Sequence, residues 1–170
     1  MKQNVFLETP RLNIRPFQKD DLSDLCKILS NPRVMKFSLK GAMSEEQVKE
    51  TLRNYINWYK HNSISMYAVI LKEERILIGM CGIYDQVVDG VNEYEIGYRF
   101  NEQYWNRGYA TEAVGAVKEF GFNNLYIKRF ISIIEDANIA SKKVALKNGL
   151  HVEKKTFFKE IDVLIFSIHV

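Results

Sequence analysis

Two adjoining stretches carry the residue types and spacing best suited to chemistry. In Glu93-Tyr94-Glu95-Ile96-Gly97-Tyr98-Arg99-Phe100, a period of two puts Glu93, Glu95, Gly97 and Arg99 on one strand face. Tyr94, Ile96, Tyr98 and Phe100 fall on the other. A glutamate beside a second carboxylate in a cleft has its pKa raised toward neutrality, where it can accept a proton. The competing reading is a solvated face, or a Glu95–Arg99 pair. The second stretch is Tyr104-Trp105-Asn106-Arg107-Gly108-Tyr109-Ala110-Thr111-Glu112-Ala113, a short turn followed by a helical pattern. The first N–H groups of a helix lack partners, and the helix dipole adds positive charge there, so such a turn is an anion trap. Gly108 permits φ > 0 and has no Cβ to hold a phosphate off, Asn106 tolerates the same angles, Arg107 adds a cation and Thr111 a hydroxyl. The same spacing also describes an ordinary strand-to-helix turn.

Elements of the expected kinds surround these stretches. Ala110, Ala113, Val114, Val117, Phe120 and Gly121 form one buried helix face after the turn. Upstream, Leu12–Phe17 reads as a strand whose Pro16 marks an edge or an end. Leu22, Leu25, Cys26 and Leu29 give a helix, started near Asp20 or Asp21 and stopped at Ser30-Asn31-Pro32. Ser44-Glu45-Glu46-Gln47 is a capping box for a second helix striped by Val48, Leu52, Tyr55, Ile56 and Tyr59. Of its aromatics Tyr55, Trp58 and Tyr59, most are expected in the core and one at a cleft. Met66–Leu71 and Ile76–Tyr84 are apolar enough to be strands buried on both faces, with Gly79 and Gly82 marking close backbone approach. Asp89-Gly90 turns the chain into a strand over Asn92–Phe100. Arg129–Glu135 is a further strand. Asn138 caps a helix that ends in a Schellman stop at Asn148-Gly149-Leu150. Val152–Phe158 and Asp162–His169 complete the chain as strands.

Composition fits one soluble domain over residues 1–170, with 46% hydrophobic and 26% charged residues. A net charge of +3 is too small to argue for nucleic acid or a membrane surface. Cys26 and Cys81 match no metal or redox spacing and are expected to be buried free thiols. His61, His151 and His169 show no metal spacing, so no metal is expected. With no signal peptide and no membrane-length apolar run, a cytoplasmic location is expected.

The turn resembles the acyl-CoA pyrophosphate loop of the GNAT acetyltransferase superfamily, Gln/Arg-x-x-Gly-x-Gly/Ala, read here as Trp105 to Ala110. Trp105 departs from the general pattern, but Tyr-Trp-x-x-Gly-Tyr-Ala-Thr-Glu-Ala is similar to the RimJ/RimL ribosomal-protein N-acetyltransferase branch. So are Glu8-Thr9-Pro10-Arg11-Leu12, Asn31-Pro32-Arg33-Val34 and Asn138-x-x-Ser141. The resemblance spans essentially the whole chain. It implies an α+β GNAT fold: a seven-stranded mixed sheet with about four helices, splayed between Asn92–Phe100 and Arg129–Glu135 to admit the cofactor arm.

The same resemblance implies acetyl-CoA as cofactor and an amine as acceptor, in a monomer or homodimer. Glu95 corresponds to the family's general base, with Glu93 and Glu135 as weaker candidates. Backbone N–H groups around Tyr98, Arg99 and Phe100 would meet the acyl oxygen. Asn106, Arg107, Gly108, Tyr109, Ala110 and Thr111 would hold the pyrophosphate, and Asn138 and Ser141 the arm. Ser141 is also a candidate proton donor, because the tyrosine found in many members is replaced here by Ala145. Capping alone also explains Asn138, and Lys142 and Lys143 meet either the 3′-phosphate or solvent. Loops around Met35–Met43 and Thr156–Glu160 would wall the acceptor. The implied function is acetylation of a protein or peptide N-terminal α-amine. Acetylation of a small amine (amino acid, polyamine or drug) and non-catalytic acyl-CoA binding are the alternatives.

Overall fold

A computed structural model describes residues 6–62 and 64–170. In chain order the elements are β1 (Leu7–Glu8), β2 (Leu12–Arg15), α1 (Leu22–Leu29), α2 (Glu45–Trp58), β3 (Met66–Leu71), β4 (Ile76–Val88) and β5 (Val91–Phe100). There follow α3 (Tyr109–Asn123), β6 (Arg129–Ile134), α4 (Ile139–Lys147), β7 (His151–Phe158) and β8 (Ile161–His169). The strands make one mixed sheet of order β1-β2-β3-β4-β5-β6-β8-β7. It is α+β with four helices, as expected, but with eight strands rather than seven. The extra one is β1, whose two residues pair Leu7 with Ile14 and Glu8 with Asn13. Two residues show no periodicity, so this strand has no pattern to read.

Each element follows from its local chemistry. All six residues of β3 are buried, as is β4 from Leu77 to Ile83, because helices cover both faces of the sheet centre. Strand β2 stops at Arg15, one residue before Pro16, which settles that proline as a strand end. Asp21 accepts from the Gln18 N–H and holds Arg15 in a bidentate pair at 2.8 Å, both side chains buried. This ties the end of β2 to the start of α1. The capping box at Ser44 forms as read, with Ser44 and Gln47 satisfying each other's backbone N–H.

Gly79 and Gly82 do mark close approach. A Cβ on Gly79 would fall 2.4 Å from the Phe100 ring, and one on Gly82 2.0 Å from the Ser65 carbonyl oxygen. At the end of α4 the Schellman pair is present: Leu150 N–H donates to Ala145 and Gly149 N–H to Leu146, with Gly149 at φ 82°. Cys81 is buried, whereas Cys26 is only half-buried.

Two apolar layers sandwich the sheet. One, under α3, gathers Leu12, Ile14, Ile78, Ile83, Ile96, Phe100 and Val117. The other, under α1 and α2, gathers Leu25, Ile28, Val48, Leu52, Met66 and Met80. The two faces of β5 therefore look at different helices, and that division organises the site.

Candidate active site

β5 pairs with β4 along all ten of its residues, but with β6 only at Glu95↔Ile131. The two parallel strands separate beyond that point, as expected. Antiparallel pairing fixes which backbone groups line the gap. Asn101 donates its N–H to Ile78 on β4, so by alternation the N–H groups of Arg99, Gly97 and Glu95 also face β4. Those of Phe100, Tyr98 and Ile96 face the opening. Side chains agree: Ser132 on β6 donates to the Ile96 carbonyl at 3.3 Å, and the Trp105 indole to the Phe100 carbonyl at 2.8 Å. Tyr98 and Phe100 thus present N–H groups to the gap. The expected backbone role of Arg99 does not hold, because its N–H is engaged in the β4 ladder and its side chain lies on the opposite face from α3.

The turn before α3 has the backbone of an anion nest. Asn106 sits at φ 60° and Gly108 at φ 80°, the two positions where positive φ was expected. Gly108 is the N-cap of α3, and the first helical bond runs from Glu112 N–H to the Gly108 carbonyl. Among the described residues, the N–H groups of Asn106, Arg107, Gly108, Tyr109, Ala110 and Thr111 donate to no protein acceptor. Six consecutive free donors at a helix N-terminus fit a pyrophosphate. The Arg107 guanidinium lies 5.5 Å from the centre of the Tyr104 ring, so the backbone, not this cation, forms the nest.

A brace behind the turn escaped the sequence reading. Glu112 accepts from the Thr9 hydroxyl at 2.6 Å, the Arg11 N–H at 2.9 Å and Arg11 Nε at 2.6 Å. Arg11 also donates to the Arg107 carbonyl at 2.9 Å and covers the Tyr109 ring. Burial alone would raise the Glu112 pKa, but the bonds from Thr9 and Arg11 outweigh it and hold the carboxyl below its ordinary value. Residues a hundred positions away thus fix the loop. The only sequence trace was that Thr9, Arg11 and Glu112 all fall within the segments carrying the resemblance.

Glu95 is half-buried and lines the cleft beside the gap. Burial pushes its pKa up from 4.5 to about 7; the Gln86 side chain, the Ile133 N–H, Arg99 and Lys159 oppose the rise without cancelling it. The expected cause, a second carboxylate, is absent. Glu93 is instead held by the Arg129 guanidinium at 2.9–3.1 Å, and Arg129 also binds Glu153. That pairing removes Glu93 as a candidate base. Glu135, at the end of β6, also lines the cleft.

On the far wall Asn138 caps α4, accepting from the Ser141 N–H at 3.2 Å. The Tyr98 hydroxyl donates to the Ser141 carbonyl at 3.4 Å and also meets the Ser141 hydroxyl. Burial drives its pKa up to about 12 despite the Ser141 bond, so it carries a proton throughout the neutral range. This phenol escaped the sequence reading: Tyr98 was named for its backbone, and its proximity to Ser141 spans 43 residues. Ala145 is buried against Ile134, Leu150 and Phe166. Lys142 pairs with Asp136 at 2.7 Å, while Lys143 lines the cleft.

A cleft of about 1210 Å³ connects these parts. Its other end is walled by Met35 to Lys40, Met43, Phe158 and Lys159, the two loops expected there. Tyr55 lines it, whereas Trp58 is exposed and Tyr59 packs inward. No group of three or more potential metal ligands occurs among the described residues. No helix among them is long and apolar enough to cross a membrane.

Comparison with known proteins agrees with this geometry. A family model described as an acetyltransferase (GNAT) domain matches residues 11–151. The uncharacterized N-acetyltransferase YnaD of Bacillus subtilis is 35% identical over 156 residues, covering 92% of this chain and 87% of YnaD. A crystal structure of a GNAT-family acetyltransferase from Bacillus anthracis superposes with a TM-score of 0.85 at 27% identity, over 96% of this chain and 97% of that one. The fold is also shared with RimL, an α-N-acetyltransferase of ribosomal L7/L12 solved with coenzyme A, at TM-score 0.80 and 18% identity over 98% of both chains. A nest, a splayed sheet and a carboxylate at the gap thus occur in a chain that belongs to the GNAT family of acetyltransferases.

Proposed function

We propose that this enzyme moves an acetyl group from acetyl-CoA to a primary amine, and that the acceptor is the α-amine of a protein or peptide N-terminus. The observation that carries the reading is continuity. Six unpartnered N–H groups at residues 106–111 lead along the β5–β6 gap to Glu95, whose pKa is about 7. Acetyl-CoA would supply the thioester carbonyl at that gap.

The nest holds the pyrophosphate, while Asn138 and the N-terminus of α4 receive the arm. The Phe100 and Tyr98 N–H groups are donors for the carbonyl oxygen as it gains charge. Glu95 takes the amine proton: at pH 7 about half of it is ionised. The Tyr98 hydroxyl, with Ser141 beside it, holds a proton for the departing sulfur in place of the tyrosine that Ala145 cannot supply.

The acceptor class follows from proton affinity. An α-amine has a pKa near 7.7–8.0 and is partly neutral at pH 7, whereas a lysine amine near 10.4 is almost wholly protonated. A base of pKa about 7 suits the former. Limited reaction of peptides containing both amines, read by mass spectrometry, is expected to place the label on the N-terminus. Label mainly on lysine would overturn the assignment.

A further inference from the structure

The acceptor end of the cleft contains a cation, Arg99, whose charge reaches the Glu95 carboxylate only through space. Arg99 lies on the face of β5 toward α1 and α2, on the same side as Glu95 and across the sheet from α3 and the nest. Among the described residues it forms no ion pair or side-chain hydrogen bond within the protein. The residues around it are phenols. Tyr84 on β4 pairs with Glu95 in the ladder, and its ring fills the space above Gly97, where a Cβ would come within 2.7 Å of it. Tyr55 on α2 meets the Tyr84 hydroxyl, and both phenols feel the Arg99 charge. Burial raises the pKa of both phenols, so each keeps its proton at neutral pH and can donate it. Tyr55 and Arg99 line the cleft together, a protonated phenol beside the guanidinium.

The rim has the same sign. Lys36, Lys40 and Lys159 line this end and form no ion pair with a described residue, while Arg33 is neutralised by Glu102 at 2.9 Å. Against them stand Glu95, half-protonated at neutral pH, and Glu135 just past the end of β6. A half-buried guanidinium is stable unpaired only while water solvates it, and a planar carboxylate is the ligand its fork fits.

We propose that Arg99 and the Tyr55 hydroxyl form a carboxylate-binding subsite, so that the preferred acceptor carries a carboxylate close to its amine. This rests on the amine-acetylation reading and specifies its substrate class. Glu95 and Arg99 are four residues apart on one strand, about 13 Å between Cα atoms, and their side chains shorten that span. The carboxylate therefore belongs to the residue bearing the amine or to the next one. It comes from a free amino acid or from an acidic residue at peptide position one or two. Polyamines and aminoglycosides, which bring only positive charge, are disfavoured by the same field.

The test compares acceptors in pairs: Ala-Asp-led and Ala-Asn-led peptides, and a free amino acid with its amide, with spermidine and kanamycin alongside. Thiol release gives kcat/KM, and calorimetry with coenzyme A present gives acceptor binding without turnover. A preference of tenfold or more for the acid in either pair is expected, falling to near parity in Arg99→Met and partly returning in Arg99→Lys. The peptide and amino-acid arms separate the two sources of the carboxylate. Coenzyme A titration of each variant reports whether it has folded. Arg99-dependent acid binding without turnover would uphold the subsite and overturn the catalytic reading. Equal affinity for acid and amide, or a preference that survives Arg99→Met, would overturn the subsite.

Discussion

Replacing Glu95 with glutamine should stabilise the protein at alkaline pH while disabling it. Glu95 has a pKa of about 7 in the fold against an ordinary 4.5, and burial is the cause. Below pH 4.5 the carboxyl is neutral in both folded and unfolded chains, so it contributes no pH dependence. Between 4.5 and 7 the unfolded chain ionises while the folded one keeps its proton, and stability falls as pH rises. Above 7 both are ionised, and the fold bears the full cost of a charge in the cleft. At 1.36 kcal/mol per pH unit the ceiling is about 3 kcal/mol, and water in the open cleft reduces it to about 1–2 kcal/mol. Glutamine keeps an acceptor for the Ile133 N–H and removes the charge. Thermal unfolding at pH 8 should therefore show Glu95→Gln melting about 2–8 °C above the wild type, with the difference vanishing near pH 4.5. A variant no more stable at pH 8 than the wild type would refute the claim that Glu95 ionises against desolvation.

Two further substitutions test the cofactor end. Gly108→Val places a β-branched residue at φ 80° among the free donors. Loss of charged hydrogen bonds worth about 1.5–3 kcal/mol each predicts at least about a hundredfold weaker coenzyme A binding by calorimetry. Wild-type affinity in a folded protein would remove the nest assignment. Glu112→Ala deletes three bonds to Thr9 and Arg11 and should cost about 2–3 kcal/mol of stability. Coenzyme A binding should weaken with it; unfolding and binding curves matching the wild type would show that the brace is dispensable.

Much of this arrangement was legible because it is local. Period-two alternation put Glu95 and Arg99 on one face, and the cap at Asn138, the Schellman stop and the positive-φ positions of the nest follow from a few adjacent residues each. The opening of the sheet came from family likeness, since strand pairing leaves no trace in periodicity. What escaped depends on distance along the chain. The Thr9–Arg11–Glu112 brace joins residues a hundred positions apart, and the Tyr98 hydroxyl meets Ser141 only after folding. Glu93 was misplaced as a neighbouring charge because its partner Arg129, on another strand, was invisible from the Glu93–Glu95 spacing. The same gap hid why Glu95 is basic: desolvation by the cleft, not repulsion, shifts it.

The most direct test of the central claim, that Glu95 takes the amine proton, is the pH profile of kcat/KM with an α-amine peptide, run on wild type and Glu95→Gln. The wild type should show a rising limb with an apparent pKa near 7, beside the ionisation of the acceptor itself. Glu95→Gln should lose that limb and fall by about 10²–10⁴ in rate while binding coenzyme A normally. A limb near 7 that persists in Glu95→Gln at near-normal rate would contradict the account.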